Sequence, residues 1–420
     1  MYTHYTLCCK LPNEIVKRMI KIGLIKEGKM PSDSRVALTP AQCKWMRQNR
    51  TDVQIIVQKS SSRCFTDKEY EHAGVQVSNE LNDCDILLGI KEVPVDMLVP
   101  NKTYLFFSHT KKLQPYNQVL FKNILAKKIT LIDYECLAHQ DGNRIIGFGF
   151  FAGIVGAHNG MMAYGKRTGA FHLDRVNATK SFQQLIHTYF GLHIPAIKIA
   201  VTGSGRVAHG VLEIMNLMGI HEVEPDDYLQ KKYEYPVYVH LKGADLYAKK
   251  NGEKYSRDDF HNNPSAYNCL FTQYLPCTDI LMNGIYWEHK IPRLFEIEDM
   301  QKSHFNLTTI ADITDDMGGS IPCNLGDSTI VDPVYGVDKN TLKKTAPYLL
   351  KNSIDIMAVA NLPNELPKDA SRYFGEQLIK HVLSDLISQT PSRLISEATI
   401  VSKGIITEGY KYMQGYADGI

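Results

Sequence analysis

The chain has 420 residues, 44% hydrophobic and 22% charged, the make-up of a folded protein of two or three domains and not of a disordered one. Its 47 Lys plus Arg against 45 Asp plus Glu leave a formal charge of +2, which excludes the basic excess of a nucleic-acid binder or of a protein held on acidic membranes. The most apolar long stretch, residues 145–164, carries five glycines with His158 and Asn159, and reads as a packed helix and not a membrane span.

In chain order, residues 1–18 come first. Lys10, Pro12, Asn13 and Glu14 interrupt any apolar signal core, so the segment is expected to be a loose extension or a start set too early. Short apolar runs then alternate with helix-like segments. Ile20–Ile25, Val53–Val57, Ile86–Gly89, Thr103–Phe107 and Thr130–Asp133 read as strands, and Pro40–Asn49, Asp67–Ala73 and Leu113–Ala126 as helices. Such alternation predicts a parallel sheet. A long helix is expected from Gly149 past Tyr164. A second α/β pattern runs from Ala196–Thr202 to about Val331, followed by a strand at Ile354–Val359 and a helix over about 369–388.

The expected architecture is α/β: two Rossmann-like domains with parallel sheets and a cleft between them. Residues 1–148 with 332–420 would form a substrate domain, and residues 149–331 a dinucleotide-binding domain. Nine cysteines without a CxxC pair, and 15 histidines without HxH or HxxxH spacing, predict reduced thiols of a cytoplasmic protein and no metal site.

The sharpest motif lies mid-chain. The alternating strand Ile197–Thr202 runs into Gly203-Ser204-Gly205-Arg206-Val207-Ala208, followed by the helical pattern Val211, Leu212, Ile214, Met215. This is GxGxxA with a strand before it and a helix after it. Gly203 permits the tight turn, Gly205 lets backbone approach a pyrophosphate, and Ala208 lets helix and strand pack closely. The acidic residue that meets the adenosine ribose about 20 positions on is expected at Glu224, with Asp226 second. Arg206 could instead meet a 2′-phosphate, so NAD(P)H is expected with NAD against NADP open.

In the first half, charged residues follow strands, where α/β sheets place their ligands. Lys91 and Glu92 follow Ile86–Gly89, His109 and Lys112 follow Thr103–Phe107, and Glu135 follows Thr130–Asp133. Arg35 and Arg144 border further apolar runs. Four cations, two carboxylates and a histidine suit a substrate with several carboxylates and an amine.

Several of these stretches carry a resemblance. Arg35-Val-Ala-Leu-Thr-Pro40, Gly89-Ile-Lys91-Glu92, Phe107-Ser-His109-Thr-Lys-Lys112, Leu131-Ile-Asp-Tyr-Glu135 and Phe148-Gly-Phe-Phe-Ala-Gly153 resemble the alanine dehydrogenase/saccharopine dehydrogenase superfamily. Asn283-Gly-Ile-Tyr-Trp-Glu288, Pro292-Arg-Leu294, Asp312-Ile-Thr-Asp-Asp-Met-Gly-Gly-Ser-Ile321 and Tyr410-Lys-Tyr-Met-Gln414 resemble the lysine–ketoglutarate reductase portion of the aminoadipic semialdehyde synthases. The segment after Lys166 looks shorter than in those reductases, and the chain stops before their saccharopine-oxidising domain.

The resemblance implies reversible condensation of lysine with 2-oxoglutarate to saccharopine, using NAD(P)H. It implies Lys91 and His109 as acid–base groups, with Arg35, Lys112 and Arg144 holding substrate carboxylates and Glu92 and Glu135 receiving an ammonium or tuning Lys91. Asn283, Gly284 and Asp312 would attend the cofactor, Asp312 beside its nicotinamide half. The expected partners are these small molecules, with no nucleic acid, no membrane, and a homo-oligomer left open. The alternatives are another amino-acid dehydrogenase of the superfamily, or a nucleotide-binding sensor without catalysis.

Overall fold

In a computed structural model that describes residues 19–388 and 390–419, the apolar runs of the first half become a parallel sheet. The chain divides into two units, one made of residues up to Ile145 together with Gly375 onward, the other of Ile146–Phe374. The loose extension expected at residues 1–18 lies outside the described residues.

The first unit holds β1 (Ile20–Leu24), β2 (Val53–Gln58), β3 (Gln76–Ser78), β4 (Ile86–Leu88), β5 (Thr103–Phe106) and β6 (Thr130–Asp133). From one edge the order is β3-β2-β1-β4-β5-β6, all parallel, after which Thr399–Ser402 and Ile405–Ile406 add antiparallel strands. The chain thus builds outward from β1 on one side and then crosses to β4 on the other. The carboxyl ends of β1 and β4 therefore flank a topological switch point, where open α/β sheets bind ligands.

Local sequence explains the helices between. α1 (Pro40–Asn49) starts in a capping box of Thr39 and Gln42 with proline in its first turn, and α2 (Asp67–His72) in one of Thr66 and Glu69. α3 runs over Gln118–Ala126, shorter than the expected 113–126. Pro115 disfavours helical backbone at Gln114, and Leu113 has φ +56°, so the first turn is a separate 3-10 turn at Pro115–Asn117.

The second unit opens with α4 (Gly149–Thr168), whose glycines mark close approaches. The second unit continues with α5 (Phe182–His187), β7 (Lys198–Thr202), α6 (Arg206–Leu217), β8 (His221–Glu222), α7 (Pro225–Gln230), β9 (Val237–Leu241) and the small hairpin of β10 (Tyr247–Lys249) and β11 (Tyr267–Cys269). It ends with β12 (Ile280–Asn283), β13 (Thr309–Asp312), β14 (Val334–Asp338), β15 (Lys344–Thr345) and β16 (Ser353–Met357). A Cβ on Gly153 would lie 2.0 Å from the Val207 carbonyl, and one on Gly210 2.0 Å from the Phe150 carbonyl, so α4 and α6 cross at backbone distance. The sheet order is β8-β9-β7-β12-β13-β16-β14-β15, with β14 and β15 antiparallel.

This arrangement corrects the expected boundary. Residues 332–374 were assigned by sequence to the first domain, but β14 and β16 complete the second sheet and β16 pairs directly with β13. All five residues of β16 are buried, so the strand has to be covered on both faces as an interior strand of that sheet. The last expected helix, 369–388, is observed as a helix over Pro367–Leu378 continued by a π turn at Ile379–Leu383. Among the described residues no helix is long and apolar enough to cross a membrane, and none of their His, Cys, Asp and Glu gather as a metal-binding group.

Candidate active site

The loop after β4 carries Lys91 and Glu92, and the loop after β5 carries His109. Glu92 joins them: its Oε1 lies 2.8 Å from Nδ1 of His109, and its Oε2 accepts from the Lys29 ammonium at 2.7 Å. Burial pushes the Glu92 carboxyl up, but the hydrogen bonds from His109 and Lys29 outweigh it and hold its pKa down at about 2. Glu92 is therefore a fixed anion, and its bond to Nδ1 orients the imidazole so that Nε2 is the edge left for chemistry.

His109 itself sits in the left-handed region at φ +52°, its ring stacked on Phe107 with centroids 6.4 Å apart. Such backbone persists only where neighbours hold it. Here the Ser108 N–H donates to Asp133 Oδ2 at 3.0 Å, the Ser108 hydroxyl bonds the same oxygen, and Asp133 Oδ1 accepts from the Glu135 N–H at 2.7 Å. One buried carboxyl thus ties the His109 loop to the Glu135 loop.

Lys91 is held below the usual ammonium range, chiefly by burial and then by the charge of Arg35. Its backbone N–H and that of Ile90 donate to Glu27, at 2.9 and 2.7 Å. Burial pushes the Glu27 carboxyl up to about 8. Glu135 is also buried, which raises its pKa, yet Arg144, Lys112 and His109 hold it below the ordinary carboxylate value. Arg144 lies 2.9 Å from its Oε1, while its Oε2 is buried without a partner among the described residues. A buried acceptor left open in this way fits a donor that arrives with a ligand.

The sequence-derived set Lys91, Glu92, His109, Lys112, Glu135 and Arg144 is thus electrostatically one cluster. Arg35 departs from its expected part. It is 3% exposed, and its guanidinium is engaged by Asp33, Nε to Oδ1 at 3.0 Å and Nη2 to Oδ2 at 2.5 Å. Its fork is turned to a protein carboxylate, and it acts on Lys91 through its field. Glu27, Lys29, Asp33, Ser108 and Asp133 were not singled out from sequence. Glu27 had a usable signal, since it follows the first strand as Lys91 follows the fourth.

In the second unit, Gly203 has φ +107°, and a Cβ there would meet the Gly284 carbonyl at 2.6 Å. Only glycine fits that position without strain. At Gly205 a Cβ would meet nothing within 4 Å, so the space over the start of α6 is open, as an approaching diphosphate needs. The residues of the turn therefore fit a dinucleotide. Ser204 is exposed beside them, and Val207 packs its side chain toward Gly284 and Gly149. Arg206 turns its guanidinium to the Ile146 carbonyl, 3.3 Å from Nη2, at the start of α4.

Asn283 and Asp312 end the neighbouring strands β12 and β13, and both are fully buried. Asn283 receives the Thr202 hydroxyl at 2.9 Å and donates to Asp312 at 2.9 Å and Ser320 at 2.8 Å; Asp312 also accepts from Thr314 and Asn324. Their side chains are occupied by this network beneath the turn, so they brace it; direct contact with a cofactor was the expectation.

Glu224 and Asp226 are not beside the turn. The 20-residue spacing presumes that the strand after α6 pairs with β7. Here that strand, β8, has two exposed residues and stands at the sheet edge, while the apolar Val-Tyr-Val-His-Leu of β9 takes the interior place. Glu224 and Asp226 open α7 beyond that edge, both exposed. The strand next to the turn ends with His240, whose Nε2 lies 2.7 Å from the Gly203 carbonyl, and with Leu241, whose carbonyl accepts from the Gly203 N–H at 3.1 Å. The exposed Lys242 follows.

Residues 23–155 match the family described as alanine dehydrogenase/PNT, N-terminal domain. The chain is 31% identical over 447 residues to the mitochondrial α-aminoadipic semialdehyde synthase of Mus musculus, an alignment covering 94% of this chain and 47% of the relative, so it spans about half the length of that protein. It is 26% identical to the saccharopine dehydrogenase [NAD(+), L-lysine-forming] of Emericella nidulans, over 86% of this chain and 91% of the relative. Among solved structures, an L-alanine dehydrogenase aligns with TM-score 0.62 at 15% identity, over 95% of this chain and 99% of that one, a likeness of fold.

Proposed function

We propose that this chain, whose residues 23–155 match the alanine dehydrogenase/PNT N-terminal domain and which is similar to α-aminoadipic semialdehyde synthases and saccharopine dehydrogenases, is an NAD(P)-dependent oxidoreductase joining L-lysine and 2-oxoglutarate reversibly as saccharopine. The observation that carries this reading is the grouping at the first switch point of a lysine of lowered pKa, a histidine oriented by a fixed anion, and a buried carboxylate oxygen without a partner among the described residues.

The chemistry asks for these groups in turn. The ε-ammonium of lysine must lose a proton before its nitrogen attacks the keto carbon, and Lys91, depressed by burial and by Arg35, is the base. The carbinolamine then loses water, and His109 gives the hydroxyl its proton through Nε2. Glu135 Oε2 receives a substrate ammonium, and Arg144 and Lys112 meet substrate carboxylates. The Gly203–Val207 turn would hold a nicotinamide dinucleotide, which would supply hydride for the imine. Thr202, Asn283 and Asp312 hold the strand ends under that turn in register.

Mixing the protein with lysine, 2-oxoglutarate and NADH or NADPH, and following absorbance of the reduced nucleotide, tests the reading. Oxidation that depends on both substrates supports it. A second reading is favoured by one observation: Arg35 is committed to Asp33, which leaves fewer cations for a substrate with several carboxylates. An amino-acid dehydrogenase acting on a smaller keto acid needs fewer. Oxidation with pyruvate plus ammonia, and none with lysine plus 2-oxoglutarate, would select it.

A further inference from the structure

Glu27 lies 64 residues before Lys91, yet its carboxylate spans two consecutive N–H groups of the Lys91 loop. The strand ladder explains why it is needed. β1 and β4 pair as far as the Ile25 N–H, which donates to the Leu88 carbonyl at 3.0 Å. Beyond that rung β1 has ended, while β4 continues into its loop. On the β5 side the loop is still tied, by the Gly89 N–H to the Leu105 carbonyl at 2.9 Å and by the Phe107 N–H to the Ile90 carbonyl at 3.0 Å.

On the β1 side the next two amides, Ile90 and Lys91, have no strand to meet, and a buried N–H without an acceptor is costly. The two oxygens of Glu27 take their place in the ladder. Gly89 makes the approach close: a Cβ there would lie 2.6 Å from the Ile25 side chain and 3.6 Å from Glu27 Oε1. The arrangement has a cost, since a buried carboxyl is better off protonated, and burial with Asp33 raises its pKa while the Lys91 and Ile90 amides and Arg35 lower it. The two amide bonds favour the charged form there and work against burial.

We propose that Glu27 is the positioning residue of the catalytic loop: by accepting both backbone N–H groups at the end of β4 it sets the direction of Lys91 and, through the adjoining Glu92, of His109. It acts through the loop it holds. The inference rests on the proposed function for the part of Lys91 and His109, and on geometry alone for the clamp.

The test uses the full chain with Glu27→Gln, which keeps size and removes one of the two acceptors. Hydrogen exchange of the segment 86–92 is read first, and one of its amides is expected to exchange at least about 10-fold faster than in the wild type. Steady-state kinetics with lysine, 2-oxoglutarate and reduced nucleotide are read second. A displaced loop is expected to lower kcat on the order of 100-fold, with KM and dissociation constant for the nucleotide unchanged. Melting temperature at pH 8 separates positioning from support of the fold. The neutral amide relieves a buried charge, so the variant should melt no lower than the wild type while turning over more slowly. Glu27→Asp, with both oxygens kept on a shorter stem, should regain part of kcat.

Unchanged exchange in segment 86–92, or faster exchange with wild-type kcat, overturns the proposal. So does a loss of kcat that only follows a lower melting temperature in both variants. If the wild type oxidises no nucleotide with these substrates, the function proposed above fails, and the exchange result by itself decides the clamp.

Discussion

At the carboxyl ends of β1 and β4 the first unit crowds ionisable groups together, whereas at the carboxyl ends of β7 and β12 the second unit clears side chains away. Lys29 and His109 bond Glu92 beside Lys91, and Asp133 and Glu27 hold the loops. Gly203, Gly205 and Gly284 present bare backbone, with the polar side chains of Thr202, Asn283 and Asp312 sunk beneath. The two switch points share a topology and differ in the job the topology is put to. Proton transfer needs groups whose pKa values neighbours can move apart. Binding a diphosphate on a helix start needs the side chains out of the way.

The sharpest way to break this contrast is a change in each unit that leaves the other alone. Lys91→Met should lower kcat by roughly 10²–10⁴, the usual reach of a general base, with nucleotide affinity by fluorescence titration unchanged. Weakened nucleotide binding with normal turnover would put the lysine to a different use. In the second unit Gly203→Ala meets both a positive φ and the Gly284 carbonyl, and should destabilise by about 1–3 kcal/mol in denaturant melts. A Cβ at Gly205 meets nothing within 4 Å, so Gly205→Val should cost no more than the loss of a favourable helix N-cap residue, about 1 kcal/mol, while nucleotide affinity falls. If both variants lose only stability, the turn has no part in binding.

Two carboxylates of the first unit should show opposite pH dependence. Glu92 titrates near 2 in the folded chain, below its ordinary 4.5, so its contribution to stability is present above about 4.5 and is lost as pH falls toward 2. Glu27 titrates near 8, above its ordinary value, so its contribution is fully present below about 4.5 and is lost as pH rises to 8. Between pH 5 and 8 Glu27→Gln should therefore remove a falling slope of at most about 1.4 kcal/mol per pH unit from the melts, and Glu92→Gln should not. Equal slopes in the two variants would mean that the two sites are equally solvated.

The smallest effect is expected at Lys242. It is exposed after the strand beside the turn, and if that turn holds the dinucleotide, Lys242→Glu should move the NADPH-to-NADH preference toward NADH by about 10-fold. The charge reversal Glu224→Lys, beyond the sheet edge, should leave the preference unmoved. A shift from Glu224→Lys alone would restore the spacing rule.

Much of this protein is legible in its sequence because the signals are local. The period of the strands and the strand-turn-helix setting of Gly203–Ala208 each lie within a few residues, and the structure keeps both. So do the positions of Lys91, His109 and Glu135 after their strands. What tertiary structure alone decided is pairing across long distances. Which strand lies beside β7 depends on β9 being more apolar than β8, and that order puts Glu224 beyond the sheet edge and Lys242 after the strand beside the turn. Membership of β14 and β16 in the second sheet depends on burial on both faces. The reach of Glu27 to the Lys91 loop is set by where the β1–β4 ladder ends. Local patterns specify which elements form and which residues stand at their ends. Only the competition among elements for the sheet's interior, driven by the cost of exposing apolar strands and of burying unpaired amides, determines which ends meet.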